Sequence, residues 1–186
     1  EFSRYGDDDG QLIWPAGIAS NDKGEVFVTD EWLNRVSVFD KDDNLVRFFN
    51  TVQDGDGDTN GAAGIAIAAD GTIYVSDSRS HRVRMFKSDG TFIKSFGSKG
   101  VSDGQFDGPW GLTVDNNGKV YVADFNNHRV QKFSADGKFE LQIGRPGNKR
   151  GDLTGPTDVA VDPEGDIYVC DWSKNNWDRG RVHIFT

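Results

Sequence analysis

The chain has 186 residues, of which 35 % are hydrophobic and 12 % aromatic, so it can form a packed core and is not intrinsically disordered. Its formal charge of −9 disfavours a general nucleic-acid-binding surface. The longest small-apolar run, Ala62 to Ala69, has 8 residues, whereas a membrane span requires roughly 20, so no membrane segment is predicted. Cys170 is the only cysteine, which excludes an internal disulfide and leaves the compartment open, a secreted or extracytoplasmic location included. It lies inside the predicted strand DIYVCD, where we expect it to pack as a small hydrophobic residue.

An internal repeat organises the whole chain. Aspartates recur at a constant spacing of 47 residues, and each ends a similar segment: EVFVTD at Asp30, TIYVSD at Asp77, KVYVAD at Asp124 and DIYVCD at Asp171. Glycines keep the same step at Gly24, Gly71, Gly118 and Gly165. This period predicts four copies of one unit within a single domain, 1–186, with approximate bounds 10–56, 57–103, 104–150 and 151–186.

Each copy contains four short segments of the kind that form β-strands. In the third copy these are GLTV, VYVAD, HRVQKF and FELQIG, which are rich in β-branched and aromatic residues and are separated by Asn, Asp and Gly turns. No segment has a sustained 3.6-residue apolar period, so helices are not predicted. A four-stranded antiparallel unit repeated every 40–50 residues is typical of a β-propeller blade, and the sequence therefore predicts an all-β propeller.

The third copy, from Gly104 to Phe139, resembles an NHL repeat. It has the P-x-G start, the Y-V-A-D strand, the N-H-R-V turn and the closing D-G-K-F of that family, and the similarity extends over nearly the whole chain. The resemblance implies a propeller that usually has six blades and sometimes five, and that commonly recognises a protein, a peptide or another ligand on one face. This chain departs from that count because it has four repeats, and its fourth copy carries SKNNWDRGRV in place of the N-H-R-V turn.

The two ends of the chain leave two arrangements open. Residues 1–6 resemble the outermost strand of a blade, and residues 182–186 match the third strand of the fourth copy. The N-terminal segment would complete that blade in a closed four-blade ring, or the chain is part of a six-bladed propeller or pairs with a second chain. We favour the second arrangement, in which exposed blade edges promote self-association.

Charged residues that recur in every repeat are predicted to be structural. A charged group that recurs in every blade is explained by a hydrogen bond or an ion pair that every blade needs. Catalysis instead needs one asymmetric arrangement of residues. This predicted scaffold network comprises Asp30, Arg35, Asp77, Arg82, Asp124, Arg129, Asp171 and Arg181.

Aromatic residues that break the repeat are the candidates for ligand binding. Propeller topology places the inter-blade loops and the loops after the second strand on one face, and aromatic side chains are favoured at binding surfaces. The predicted ligand-binding set comprises Trp14, Trp32, Trp110, Phe125, Trp172 and Trp177. The alternative is that each ring fills a gap in its own blade.

One loop carries part of a calcium-binding pattern. Asp56, Asp58 and Asn60 alternate with other residues and Gly61 follows, as in the first half of a calcium loop, but the twelfth position is Ile67 instead of glutamate. A solvated turn is the favoured interpretation and a calcium site the alternative; no other cofactor is predicted.

The sequence thus predicts an interaction module for a protein, peptide or small-molecule ligand, and nucleic acid is disfavoured. The alternative is a metal-dependent propeller enzyme, similar to the peptidylglycine amidating lyase or to calcium-dependent lactonases, with part of its site outside this chain. The sequence offers three histidines, His81, His128 and His183, and none of them matches an axial ligand triad.

Overall fold

The computed structural model describes residues 3–52, 61–172 and 180–186 of the chain. These residues form four antiparallel sheets in sequence order, which confirms the predicted all-β propeller. Blade 1 comprises β1 (Pro15–Ser20), β2 (Val26–Asp30), β3 (Arg35–Phe39) and β4 (Leu45–Asn50). Blade 2 comprises β5 (Ala62–Ile67), β6 (Ile73–Asp77), β7 (Arg82–Phe86) and β8 (Phe92–Phe96). Blade 3 comprises β9 (Pro109–Val114), β10 (Val120–Asp124), β11 (Arg129–Phe133) and β12 (Phe139–Ile143). Blade 4 comprises β13 (Pro156–Val161), β14 (Ile167–Asp171) and β15 (Arg181–Phe185).

The strands of each blade pair in sequence order, from an inner first strand outwards. One turn of 3-10 helix, Phe125–Asn127, follows β10, and no described helix is long or apolar enough to cross a membrane. The turn between the first and second strands ends at the repeated glycine. In blade 3, Gly118 adopts a φ of +74° and its N–H donates to the carbonyl of Asp115 at 2.9 Å. Glycine recurs here because this left-handed conformation is strained for residues with a Cβ atom.

Each blade has two faces, which we call the leading face, towards the preceding blade, and the trailing face, towards the next. The apolar core is divided among the three interfaces between them. Between blades 1 and 2 the trailing residues Phe27, Val36 and Val38 pack on Ile65 and Phe86 of the next leading face. Equivalent clusters join blade 2 to blade 3 and blade 3 to blade 4. Burial of these side chains is therefore what fixes each blade to its neighbour.

An axial channel of about 700 Å³ runs between the inner strands of all four blades. Glycine recurs on three of these strands, at Gly17, Gly64 and Gly111, because neighbouring inner strands touch there. A Cβ atom at Gly64 would lie 2.6 Å from the Trp110 carbonyl oxygen and 3.0 Å from the Gly111 Cα. The small first-strand residues therefore permit a tight approach around the axis.

The trailing face of blade 4 is solvent-exposed, and this changes the environment of Cys170. The sequence predicts that Cys170 packs as a small hydrophobic residue within its strand, but the thiol-bearing residue is exposed. Its equivalents in blades 1 to 3, Thr29, Ser76 and Ala123, are fully buried against the following blade. The prediction is wrong because it took the strand as covered on both faces.

The N-terminal segment is described from Ser3 onwards and bonds within its own repeat. Tyr5 and Leu12 form a parallel bridge, and the Leu12 N–H donates to the Arg4 carbonyl oxygen at 3.0 Å. The sheet of blade 4 contains three strands among the described residues. That residues 1–6 complete a blade therefore stays a prediction.

A partly exposed ion pair between Glu25 and Arg47 predicts an acid-dependent loss of stability. Arg47 Nη1 lies 2.6 Å from Glu25 Oε1, and its Nη2 donates to the Ser88 carbonyl of blade 2. The hydrogen bond from Arg47 lowers the pKa of Glu25 below its ordinary value of 4.5. Because the folded pKa is lowered, the pair stabilises the fold above pH 4.5 and this contribution is lost as the pH falls through the folded pKa.

We expect Glu25→Gln to lower the free energy of unfolding by up to about 1 kcal/mol at neutral pH. Urea denaturation at neutral pH and near pH 3 is the measurement, and the difference from the wild type should vanish in acid. Asp42→Asn, which removes a surface carboxylate paired with Lys41, is the matched control and should change little. A pH-independent difference for Glu25→Gln would contradict the assignment.

Candidate functional site: the aromatic loop face and the channel

The repeated aspartates tie two loops of each blade together. Asp124 is fully buried; its carboxylate accepts hydrogen bonds from the Asp107 N–H at 2.8 Å and from Asn127 Nδ2 at 2.9 Å. Arg129 Nε lies 2.9 Å from Asp124 Oδ2, and Arg129 Nη2 donates to the Ser102 and Gln105 carbonyls. The pair thus fixes the inter-blade loop to the turn after the second strand.

The same task is performed with different partners in the other blades. Asp171 bonds the Thr154 N–H at 2.8 Å and lies 3.3 Å from Arg181 Nη2. Asp30 accepts four backbone N–H bonds instead, among them those of Ile13 and Leu33, while Arg35 donates to the Asp8 and Gln11 carbonyls. In blade 2, Asp77 pairs with Arg84 at 3.0 Å, two residues beyond the expected Arg82. These contacts agree with a scaffold role for the aspartates.

Two of the histidines join adjacent blades. His81 and His128 adopt left-handed φ values of 55° and 57° at the start of the third strand. His81 Nδ1 accepts a hydrogen bond from the Gly108 N–H at 3.0 Å, and His128 Nδ1 lies 2.7 Å from the Thr154 carbonyl oxygen. His183 lies on β15, with Nε2 3.5 Å from Asp171 Oδ2. The three rings therefore belong to the bonding of different blades.

Three of the predicted binding aromatics form a continuous row on the loop face. The rings of Trp110 and Phe125 meet edge to face with centroids 5.1 Å apart, and Phe125 stacks on Trp172 at 6.0 Å. Phe125 begins the 3-10 turn after β10. Trp172 follows β14, and its backbone N–H donates to the Gly155 carbonyl oxygen at 2.8 Å. The row runs from the channel in blade 3 onto blade 4, and Trp110 remains 39 % exposed.

Trp14 and Trp32 lie on blade 1, and the same aspartate holds both of their backbones. Asp30 fixes both backbones, because its two carboxylate oxygens accept the N–H groups of Trp14 at 3.1 Å and Trp32 at 3.0 Å. The two indoles are 57 % and 58 % exposed. Their side chains are thus presented to solvent on a backbone that the scaffold aspartate holds in place.

Asp158 is a candidate site residue that the sequence interpretation missed. It occupies the repeat position of Gly17, Gly64 and Gly111 and lines the same channel as Trp110. A Cβ atom on Gly111 would lie 2.1 Å from Asp158 Oδ1, so the carboxylate rests directly on the Gly111 backbone. The substitution of an acidic residue in an otherwise invariant glycine position was the signal that could have identified it.

The carboxylate of Asp158 is poor in partners. Desolvation by the surrounding strands raises its pKa, and Oδ1 accepts a hydrogen bond from the N–H of Val159 at 2.9 Å. Among residues 3–52, 61–172 and 180–186, no Lys, Arg or His forms a salt bridge with it. Asp158 is exposed to the channel, so its carboxylate can accept hydrogen bonds from a ligand or pair with a positively charged group.

Some predicted site residues lie outside the described part of the chain. These are the calcium-loop residues Asp56, Asp58 and Asn60 and the binding residue Trp177. Within the described residues no three His, Cys, Asp or Glu side chains are grouped as metal ligands would be.

A comparison with known protein families agrees with the repeat pattern and with the blade geometry. The model of the NHL repeat matches residues 12–39, 59–86, 106–133 and 153–185, one match for each blade. The chain belongs to the NHL-repeat family. The four matches begin in the inter-blade loops and end in the third strands, so they include the scaffold Asp and Arg positions of every NHL repeat here.

Several known proteins are similar to this chain over different lengths. Protein lin-41 of Caenorhabditis elegans is 44 % identical over 45 residues, which are 24 % of this chain and 4 % of that protein. A streptogramin B lyase structure has a TM-score of 0.67 at 17 % identity, covering 92 % of this chain and 54 % of the other. A structure of the nidogen/laminin complex has a TM-score of 0.66 at 19 % identity, covering 90 % and 64 %. This chain thus spans 54 % and 64 % of the length of these two solved structures, which share its fold.

Proposed function

We propose that this NHL propeller is a binding module whose loop face and channel mouth take a protein, peptide or small-molecule ligand. The observation that carries the proposal is the row formed by Trp110, Phe125 and Trp172, which breaks the repeat and begins at the channel that Asp158 also lines. Rigid aromatic side chains give large contact areas at a small entropy cost, so they are frequent anchors of binding sites.

The chemistry of the site favours a ligand with an apolar or aromatic group and an N–H-bearing or cationic group. The first would lie against the exposed edge of Trp110, and the second would satisfy the Asp158 carboxylate. Peptides with aromatic and basic side chains combine both groups. The similarity to the nidogen/laminin complex structure supports protein binding as one use of such a fold.

A selection of random displayed peptides on the immobilised protein tests this proposal. We expect the enriched peptides to lose at least about tenfold in affinity on Trp110→Ala, because an anchor ring would be lost. Asp158→Asn should weaken the basic peptides among them selectively, since it removes the charge and keeps the shape. Val101→Ala, at a residue that is 75 % exposed in the connection between blades 2 and 3, is the matched control. Enriched peptides that bind Trp110→Ala and Trp172→Ala as tightly as the wild type would overturn the proposed face.

The metal-dependent enzyme remains the competing function, and elemental analysis of the purified chain separates the two. About one tightly held zinc ion per chain that also binds a small anionic ligand would overturn a function by binding alone, because a zinc site with an open position is a catalytic arrangement. Calcium bound stoichiometrically and lost from Asp58→Asn would support a site in the Asp56–Asn60 loop and would leave the binding module intact.

A further inference from the structure

The middle of the third strand carries a different polar side chain in each blade. In chain order these residues are Ser37, Arg84, Gln131 and His183. In blades 2, 3 and 4 a nitrogen of this side chain lies near the repeated aspartate of the same blade, at 3.0, 3.1 and 3.5 Å respectively. Ser37 is fully buried, but its side chain is too short to make this contact. Blade 1 therefore breaks the repeat at a buried polar position.

Blade 3 shows what the longer side chain does at this position. Gln131 Nε2 donates to the Asp124 carboxylate at 3.1 Å and to the Gln105 carbonyl oxygen at 2.7 Å. Gln131 Oε1 accepts a hydrogen bond from the Gly104 N–H at 2.9 Å. The amide thus joins the inter-blade loop to the third strand. Its three partners belong to the same repeat, so the comparison with blade 1 does not depend on a neighbouring blade.

Blade 1 leaves two buried polar atoms at this place without a protein partner. Arg35 Nη2 donates to the Asp8 and Gln11 carbonyls, as its equivalent does in blade 3. Among the residues that the structure describes, however, neither Arg35 Nε nor Ser37 Oγ has a hydrogen-bond partner, although Arg35 is only 7 % exposed. Asp30 does not serve them, because four backbone N–H groups already bond to its carboxylate, which offers about four acceptor sites.

These two atoms lie close together. Arg35 and Ser37 are two residues apart on β3, so their side chains emerge on the same face of the sheet. Buried polar groups in folded proteins are almost always hydrogen-bonded, to protein or to ordered water. A pair of neighbouring buried donors therefore points to a bound molecule between them.

We propose that one internal water molecule takes the place of the Gln131 amide in blade 1. The water accepts hydrogen bonds from Arg35 Nε and from the Ser37 hydroxyl, and it donates to the carbonyl oxygen of Gln11, the repeat equivalent of Gln105. A buried water typically makes about three such bonds. Glutamine has three more heavy atoms than serine, and their volume is room for a water, which takes about 30 Å³ in the liquid.

The charges around the site favour water over an ion. An anion would bond to Arg35 and Ser37, but it would lie near the Asp30 carboxylate, because Asp30 and Arg35 are opposite each other in the strand register. A cation would lie beside the Arg35 guanidinium. Water both donates and accepts, so it satisfies the two donors and the Gln11 carbonyl without adding a charge.

The bound water supports the loop that carries Trp14. Gln11 lies in this inter-blade loop, three residues before Trp14, whose own N–H is held by Asp30. In blade 1 a water molecule thus links the loop to β3, where blade 3 uses a side-chain amide. This link concerns the support of the loop face and is independent of the ligand proposed for it.

Exchanging the side chains of the two blades tests the proposal. Magnetic relaxation dispersion of water counts the long-lived internal waters of a folded protein in solution. We expect Ser37→Gln to hold one fewer than the wild type, because the new amide fills the site, and Gln131→Ser to hold one more. Ser95→Gln makes the same substitution at an exposed strand position and should leave the count unchanged. Circular dichroism should show that all three variants are folded.

Two further measurements locate and identify the bound molecule. In the wild type a nuclear Overhauser effect between water and the Arg35 Nε–H proton should have the sign of a bound water, and Ser37→Gln should abolish it. Its absence from the wild type would overturn the proposal whatever the variants do, as would equal water counts in the wild type and Ser37→Gln. Replacing chloride by glutamate at constant ionic strength should not change the urea midpoint. A stabilisation by chloride that Ser37→Gln removes would assign an anion and overturn the water site.

Discussion

Replacing Asp124 with alanine is expected to lower the free energy of unfolding by about 3 kcal/mol, because it removes one partner of a buried ion pair. The carboxylate is fully buried and is held by the Asp107 N–H, Asn127, Arg129 and Gln131. Desolvation raises the pKa of Asp124, and these donors oppose that effect. Its removal would leave the guanidinium of Arg129, which is 4 % exposed, with only the exposed carboxylate of Asp103 at 4.0 Å as a counter-charge.

Urea denaturation of the purified variants measures the effect. Asp136→Ala, at an exposed carboxylate paired with Lys138, is the matched control and should change the free energy of unfolding by less than about 0.5 kcal/mol. Asp124→Asn keeps an acceptor for the Asp107 N–H and should be intermediate. Equal midpoints for Asp124→Ala and the wild type would refute the scaffold role.

Replacing Gly64 with alanine is expected to destabilise the chain by about 3 kcal/mol, because the new methyl group has no room. It would lie 2.6 Å from the Trp110 carbonyl oxygen and 3.0 Å from the Gly111 Cα. Both are backbone atoms of the next inner strand, so they cannot move without separating blades 2 and 3 and opening the cluster between them.

Thermal and urea unfolding should both register this change. Gly180→Ala is the matched control, because no heavy atom lies within 4 Å of the added methyl group. In a single chain Asp158→Ala should also be nearly neutral, since no inner strand follows that position in the described structure. A stable Gly64→Ala protein would mean that the inner strands of blades 2 and 3 are not in direct contact.

The fold could be predicted from the sequence because the same pattern of strands and turns occurs four times. The 47-residue period located the second strands, and the structure places all four of them so that each ends at its predicted aspartate. What the period could not supply was the state of the outer faces. Val182 and Val130 are equivalent in sequence but differ completely in exposure, because burial depends on a neighbouring blade and not on the strand itself.

The candidate site was predictable only in part, for a related reason. Aromatic departures from the repeat identified Trp110, Phe125 and Trp172, which the structure brings together, and Trp14 and Trp32, which it places on blade 1. Asp158 was missed because the sequence prediction considered aromatic departures from the repeat. It did not consider an aspartate at a position where the other three repeats have glycine. The sequence also could not predict that Asp77 pairs with Arg84 instead of Arg82. Both arginines lie on one strand, and only the orientation of their side chains decides which one reaches Asp77.

The serial packing of the blades gives the chain an uneven resistance to local opening. Blades 2 and 3 are covered on both faces, and blades 1 and 4 on one face each. In such a one-dimensional array each unit is stabilised by its nearest neighbours, so the terminal blades open at a lower free energy than the central pair. For these 186 residues on their own we therefore expect the amide protons of β6 and β10 to exchange most slowly with solvent, and those of β1 and β15 to exchange through partial openings that leave blades 2 and 3 folded.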